Sequence, residues 1–316
     1  MPKNFAGILC FLWMPFTLFC QASFQVVPLG IRGGSAEDNL SAYMLAPAGS
    51  NEYICLDAGT IHAGIEKAIA SKTFTVPAAV VLKQYIRGYF ISHGHLDHVS
   101  GMILNSPDDT AKNIYAMPHV INVLKEKYFS WKSWANFADS GESPALKKFH
   151  YVSLDTGTEY EVTNTRMAVK AFPLAHSSPY QSSALLVRHD SDYVLYLGDT
   201  GADTIEHAHR LYQLWEAIAP LVKSGKLKGI FIETSFPDEQ PDKLLFGHLT
   251  PRLLMDEMQV LNGLCGDAYA IRGLSVIITH MKPAGDAIRT ISSQLQRRNR
   301  FKLKLIFPEQ GKKILL

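Results

Sequence analysis

The chain has 316 residues, 47% apolar and 19% charged, with 31 basic side chains against 29 acidic ones and a formal net charge of +2. That supplies one large soluble core without disulfide staples. It excludes a long nucleic-acid groove driven by bulk charge, which needs clustered Lys and Arg. The one locally basic stretch, residues 297–304, reads as a solvated helix end and strand edge.

In chain order, a leader comes first. Lys3 precedes an apolar run over residues 8–19, and Cys20-Gln21-Ala22 offers a small residue at a cleavage point. This is the plan of a secretory signal peptide over residues 1–22, and the apolar run is shorter than the roughly 20 residues that span a bilayer. An uncleaved anchor and a lipidated Cys20 are the alternatives, the latter disfavoured by the bulky Phe19. The expectation is a periplasmic or secreted protein, not membrane-bound after cleavage, with one domain over residues 23–316. Within it, Cys55 and Cys265 can form a disulfide or remain two buried thiols.

Short apolar runs over residues 24–29, 41–46 and 53–56 predict strands, and residues 78–85 are helical in character. A strand over residues 88–92 runs into a histidine cluster. Another strand (113–117) precedes a helix reaching about residue 127. Strands follow over 168–172, 184–188 and 193–197, with Asp192 at a turn. A long amphipathic helix is expected over 203–222, then strand 230–232, helix 251–261, strand 275–278 and helix 284–296. Strands first, then mixed strand and helix, in two similar halves, fit two sheets packed face to face with helices outside.

His93-Gly94-His95-Leu96-Asp97-His98 is the strongest chemical signal. Imidazole nitrogen and carboxylate oxygen are ligands for divalent transition metals. In a loop leaving a strand, His93 and His95 can turn to one side and Asp97 and His98 to the other, which serves two ions. The remaining ligands must come from distant strand ends. His176, Asp199 and His280 each follow a predicted strand, and the Asp199 carboxylate can bridge two cations. The other histidines (62, 119, 150, 189, 207, 209) lack such a setting and read as surface or packing residues.

The order His-x-His-x-Asp-His, a later His, Gly198-Asp199 and Thr279-His280 resembles the metallo-β-lactamase superfamily, over nearly all of the mature chain. Residues 93–107, with Leu96 and the Asn105-Ser106-Pro107 tail, resemble the class II cyclic-nucleotide phosphodiesterases. So do Ile232-Glu233-Thr234-Ser235-Phe236 and Gly247-His248-Leu249-Thr250-Pro251. The resemblance implies a four-layer αββα sandwich and hydrolysis of 3′,5′-cyclic AMP, with cyclic GMP a second candidate, to the 5′-nucleotide. It implies one ion on His93, His95 and His176, a second on Asp97, His98 and His280, and Asp199 between them. Zinc suits this donor set, and Mn²⁺ or Fe²⁺ fits it too.

A cyclic phosphodiester is an anion and repels hydroxide. Two ions about 3.5–4 Å apart would clamp its oxygens and acidify a water for attack on phosphorus. Asp97 is placed to orient that water or take its proton. His248 is the candidate proton donor to the departing 3′ oxygen, oriented by Glu233, and Thr250 the expected N-cap of the next helix. Phe236, Phe246, Tyr128, Phe129 and Trp131 are aromatic candidates for the base, each more plainly read as packing. The rivals are another phosphodiester, as in RNA 3′-end processing, for which a basic arm is lacking, and a non-catalytic metal-binding relative. Related folds often pair, so a homodimer is an open expectation.

Overall fold

The computed structural model describes Met1 and residues 22–316, so most of the expected leader lies outside the described residues. The chain builds two seven-stranded sheets. The first runs β14 (Ile314–Leu315), β1 (Phe24–Gly30), β2 (Ala42–Pro47), β3 (Tyr53–Leu56), β4 (Ile86–Phe90), β5 (Lys112–Ala116), β6 (Phe149–Ser153). The second runs β13 (Lys304–Ile306), β12 (Ser275–Thr279), β11 (Leu227–Glu233), β10 (Asp192–Leu197), β9 (Gln181–His189), β8 (Ala168–Ala175), β7 (Glu159–Glu161).

Each half of the chain follows one plan. Antiparallel strands come first, β1 to β3 and β7 to β10. Parallel strands follow, β3 to β6 and β10 to β13. Parallel neighbours need crossovers. In the first half these carry α1 (His62–Ala70), α2 (Ala78–Val80), α3 (Leu96–Asn105) and α4 (Pro118–Val123). In the second they carry α5 (Asp203–Glu206), α6 (Arg210–Lys223), α7 (Pro251–Cys265) and α8 (Ala287–Arg298).

Apolar clusters separate the layers. One lies between the first sheet and its helices (Met44, Tyr89, Val99, Met102). Another fills the space between the sheets (Val26, Leu45, Phe90, Phe231). The last packs the second sheet on its helices (Ile230, Trp215, Leu254, Leu295). This is the expected αββα sandwich. Every residue of β1, β2 and β3 is buried, because both faces are covered; such strands read as unbroken apolar runs rather than alternation. Among the described residues no helix is long and apolar enough to cross a membrane. Cys55 and Cys265 sit in different clusters and are free thiols.

Several local expectations are corrected. The helix expected over 203–222 is two helices, broken at His207, whose φ is +51°. The Asp203 carboxylate accepts from Leu211 N (3.1 Å) and Tyr212 N (2.8 Å), capping a fresh helix start. The turn before β10 is made by Asp190, at φ +50°, and Ser191; Asp192 already pairs with His189. Thr250 does cap α7, accepting from Leu253 N at 3.4 Å.

Candidate active site

Parallel strands bring their carboxyl ends to one edge, and the chemistry gathers there. Asp57 follows β3, residues 92–98 follow β4, His176 follows β8, Asp199 follows β10, Glu233 ends β11 and His280 follows β12. The histidine motif is only half a loop. Helix α3 starts at Leu96, so Asp97 and His98 occupy its first turn, while His93 and His95 lie on the extended segment before it.

The predicted ligands form two groups. His93 Nε2, His95 Nδ1, His176 Nε2 and an Asp199 oxygen make the first. His93 Nε2 is 3.1 Å from His95 Nδ1 and 3.8 Å from Asp199 Oδ2, and His176 Nε2 is 3.4 Å from His95 Nδ1. Asp97, His98 and His280 make the second. His280 Nε2 is 3.1 Å from Asp97 Oδ2 and 3.2 Å from Asp199 Oδ2; His98 Nε2 is 3.3 Å from Asp199 Oδ1. Asp199 therefore faces both groups, one oxygen to His98 and the other to His93 and His280.

Every imidazole but His95 is turned by a partner on its other nitrogen, the usual support of a metal-binding histidine. His98 Nδ1 lies 2.7 Å from Asp57 Oδ2, His176 Nδ1 donates to Gly247 O (2.8 Å), and His280 Nδ1 meets Ser235 Oγ (2.9 Å). His93 Nδ1 meets Ser92 Oγ at 3.0 Å, and His95 stacks on Tyr180 at 4.6 Å with the rings nearly parallel. Two backbone features make room. A Cβ on Gly33 would come within 2.2 Å of the His280 ring, and Gly247, at φ +77°, lies against Ser177 N.

The donor set fits divalent cations. His98 Nε2 and Asp199 Oδ1 are buried without a hydrogen-bond partner among the described residues, yet face each other. With Nδ1–H given to Asp57, both atoms present lone pairs, an arrangement that a cation between them satisfies. Burial, reinforced by His98, holds His93 well below the usual imidazole range. Burial also lowers His95 and brings His176 down to about 4. Neutral imidazole is the ligating form. Burial opposes charge on His98 as well, but Asp199, Asp57 and Asp97 outweigh it and raise its pKa well above that range. Asp199 is driven the other way: burial resists ionisation, and His280 and His98 overcome it.

The model of the class-II cAMP phosphodiesterases matches residues 23–311. The chain belongs to this family. It is 40% identical to a 3′,5′-cyclic-nucleotide phosphodiesterase of Aliivibrio fischeri, over 98% of each chain. It is 37% identical to a probable 3′,5′-cyclic-nucleotide phosphodiesterase of Yersinia pestis, over 94% of this chain and 92% of the relative. Among solved structures, unliganded yeast PDE1 superposes with a TM-score of 0.83 at 25% identity, covering 94% of this chain and all of that one. A metallo-β-lactamase fold protein of Bacillus subtilis, at 14% identity and TM-score 0.60 over 93% of this chain and 100% of its own, shows the shared fold.

In this class-II phosphodiesterase, Glu233 and His248 meet as expected. His248 Nδ1 lies 2.8 Å from Glu233 Oε1, which also accepts from Thr200 N (3.0 Å), and 3.7 Å from Asp199 Oδ2. Burial works against a charged His248, but Glu233 and Asp199 raise its pKa. Of the aromatic candidates, Phe129 is core, Tyr128 donates to Gly94 O beneath the histidine segment, and Phe236 packs edge-on against His248.

Sequence reasoning gave no role to several residues that shape the site. Asp57 accepts from Ser92 N, Ser92 Oγ and Tyr196 OH besides holding His98. Its signal was present: a carboxylate just past a wholly apolar strand, the same cue that marked Asp199. Ser235, inside the 232–236 block whose likeness pointed to the family, links His280 to Glu233, a role that nothing in the sequence marks. The same holds for Tyr180 and Lys282.

Proposed function

We propose that this enzyme hydrolyses 3′,5′-cyclic AMP, with cyclic GMP a second substrate, to the 5′-nucleotide, using two divalent ions. The observation that carries the reading is a buried, carboxylate-held imidazole, His248 on Glu233, beside the two ligand groups that share Asp199. His93, His95 and His176 would hold one ion, Asp97, His98 and His280 the other, with Asp199 between. The ions supply Lewis acidity and an acidified water at neutral pH. Zinc is favoured by the predominance of imidazole nitrogen.

The chain's own groups do the rest. Asp97 Oδ2 accepts from Gly34 N at 3.0 Å. Although burial resists its ionisation, His98 and His280 hold its carboxyl well below the usual range. So low a pKa suits a hydrogen-bond acceptor that orients water better than a base that keeps a proton. Glu233 fixes the His248 tautomer with the proton on Nδ1, and its charge favours a second proton on Nε2. From there His248 donates to the departing 3′ oxygen. Export to the periplasm or beyond, after removal of residues 1–22, rests on the leader's composition and would make the enzyme a scavenger of external nucleotide.

Purified protein is assayed with cyclic AMP, cyclic GMP, bis(p-nitrophenyl) phosphate and a β-lactam, with and without chelator. Cyclic-nucleotide turnover abolished by chelator and restored by Zn²⁺ is expected. Turnover of the nitrophenyl ester alone would discard the cyclic-nucleotide reading and leave the fold untouched.

A further inference from the structure

Lys282 lies two residues beyond His280, and its backbone N–H donates to Ser235 O at 3.3 Å. Its side chain bends back toward the site. The ammonium stands 4.8 Å from the Phe236 ring centroid and 3.0 Å from His248 Nε2. Lys112 faces Asp109, Arg188 faces Glu159, and the half-buried Lys148 donates to the carbonyls of Ser106 and Pro107. Lys282, half-buried, faces an aromatic ring and an imidazole instead. With no carboxylate within ion-pair distance among the described residues, this ammonium is free to take an anion that comes and goes.

The charge balance of the site says which anion. Asp97 and Asp199 face the centre, and Asp57 and Glu233 stand directly behind His98 and His248. Ionised, they cancel the charge of two divalent ions, and an arriving phosphodiester, itself negative, meets no net attraction from that set. Lys282 adds positive charge to that of a protonated His248, on the side where the leaving oxygen must lie. The contact with His248 Nε2 is also one that catalysis has to break, since that nitrogen cannot take a hydrogen bond from Lys282 and donate to substrate at once.

We propose that Lys282 contacts the substrate directly: with a phosphodiester bound, its ammonium leaves His248 Nε2 and donates to a phosphoryl oxygen. This rests on the phosphodiesterase reading above. Phe236 holds the lysine stem in line for the movement, and the vacated Nε2 takes a proton from water and then presents it to the 3′ oxygen. Lys282 is thus a phosphate-binding residue, with no part in holding metal.

The test uses metal-loaded wild type, Lys282→Gln and Lys282→Arg, with folding checked by circular dichroism and ions counted by elemental analysis. Calorimetric binding of AMP and turnover of bis(p-nitrophenyl) phosphate are read at two salt concentrations. Lys282→Gln is expected to weaken AMP about ten- to hundredfold, as for a lost charge-assisted hydrogen bond, to flatten the salt dependence and to keep its ions. Lys282→Arg should recover most of the affinity. Equal AMP affinity in wild type and Lys282→Gln overturns the proposal, and so does a loss traced to missing ions. The nitrophenyl ester carries no nucleoside, so a wild type that cleaves it but ignores cyclic AMP sinks only the cyclic-nucleotide reading. A wild type active on cyclic AMP with no Lys282 effect sinks only this inference.

Discussion

The imidazoles of the first ligand group meet neutral partners directly: His176 the Gly247 carbonyl, His95 the Tyr180 ring, and His93 the hydroxyl of Ser92, behind which Asp57 stands one step away. In the second, His98 has a carboxylate directly behind it, Asp57, while His280 reaches Glu233 through Ser235 much as His93 reaches Asp57. The second group also contains a carboxylate of its own, Asp97. The pKa directions follow this division, down for His93, His95 and His176, up for His98. Two sites that share Asp199 are therefore tuned differently. The first keeps its ligand form into acid but has little negative charge to hold a dication; the second attracts a dication strongly but must shed a proton to accept it.

Asp199 is the point where the comparison can be broken outright. Asp199→Ala removes the carboxylate from both groups, and turnover should fall further than the about 10²–10⁴-fold of a lost general acid. Elemental analysis should find both ions gone. One ion retained would mean that one group assembles alone. Next in size, His248→Ala should lower kcat on cyclic AMP by about 10²–10⁴-fold while both ions stay. Nitrophenolate leaves without a proton, so bis(p-nitrophenyl) phosphate should lose far less; an equal loss on both substrates would remove His248 as the acid.

A smaller effect sharpens the division between the groups. Asp57→Asn removes the charge directly behind His98 and should weaken the second ion about 10–100-fold, and the first less, since Asp57 reaches His93 only through Ser92, as read by chelator competition. In the metal-free protein the carboxylates around His98 favour its protonated form, so an ion bound there competes with a proton. Occupancy of the second group should fall as pH drops from 8 toward 5. The first, whose His176 lies near 4, should hold until lower pH. Ions counted after dialysis across that range check the order, and parallel loss from both groups would contradict it.

What the sequence disclosed followed chain locality. His93, His95, Asp97 and His98 announce themselves by density, and His176, Asp199 and His280 by standing just past apolar strands. Glu233 and His248 needed family resemblance, because a carboxylate and an imidazole 15 residues apart carry no spacing rule. Asp57 stands in the same strand-end setting, but its partners Ser92 and Tyr196 lie 35 and 139 residues away. The break at His207 was hidden too, since it depends on which amides the Asp203 carboxylate reaches. The short strands β13 and β14 exist through their pairing with β12 and β1, and a two- or three-residue run shows no period of its own.

Tyr180 offers the finest probe of the neutral side. Its ring stacks on His95 with an interplanar angle of 5°, and its hydroxyl accepts from Gly94 N at 3.1 Å. Tyr180→Phe keeps the ring and deletes only the acceptor, a change of about 0.5–1.5 kcal/mol, or roughly two- to tenfold, in the affinity of the first ion. The second ion should be untouched, because none of its ligands meets Tyr180. Tyr180→Ala removes the stack as well and frees His95, the exposed member of the group, to rotate away from its neighbours. If the two variants weaken the first ion equally, the hydroxyl alone sets the His95 geometry. If neither does, the Gly94 backbone holds His95 without help, and the neutral side needs no aromatic support.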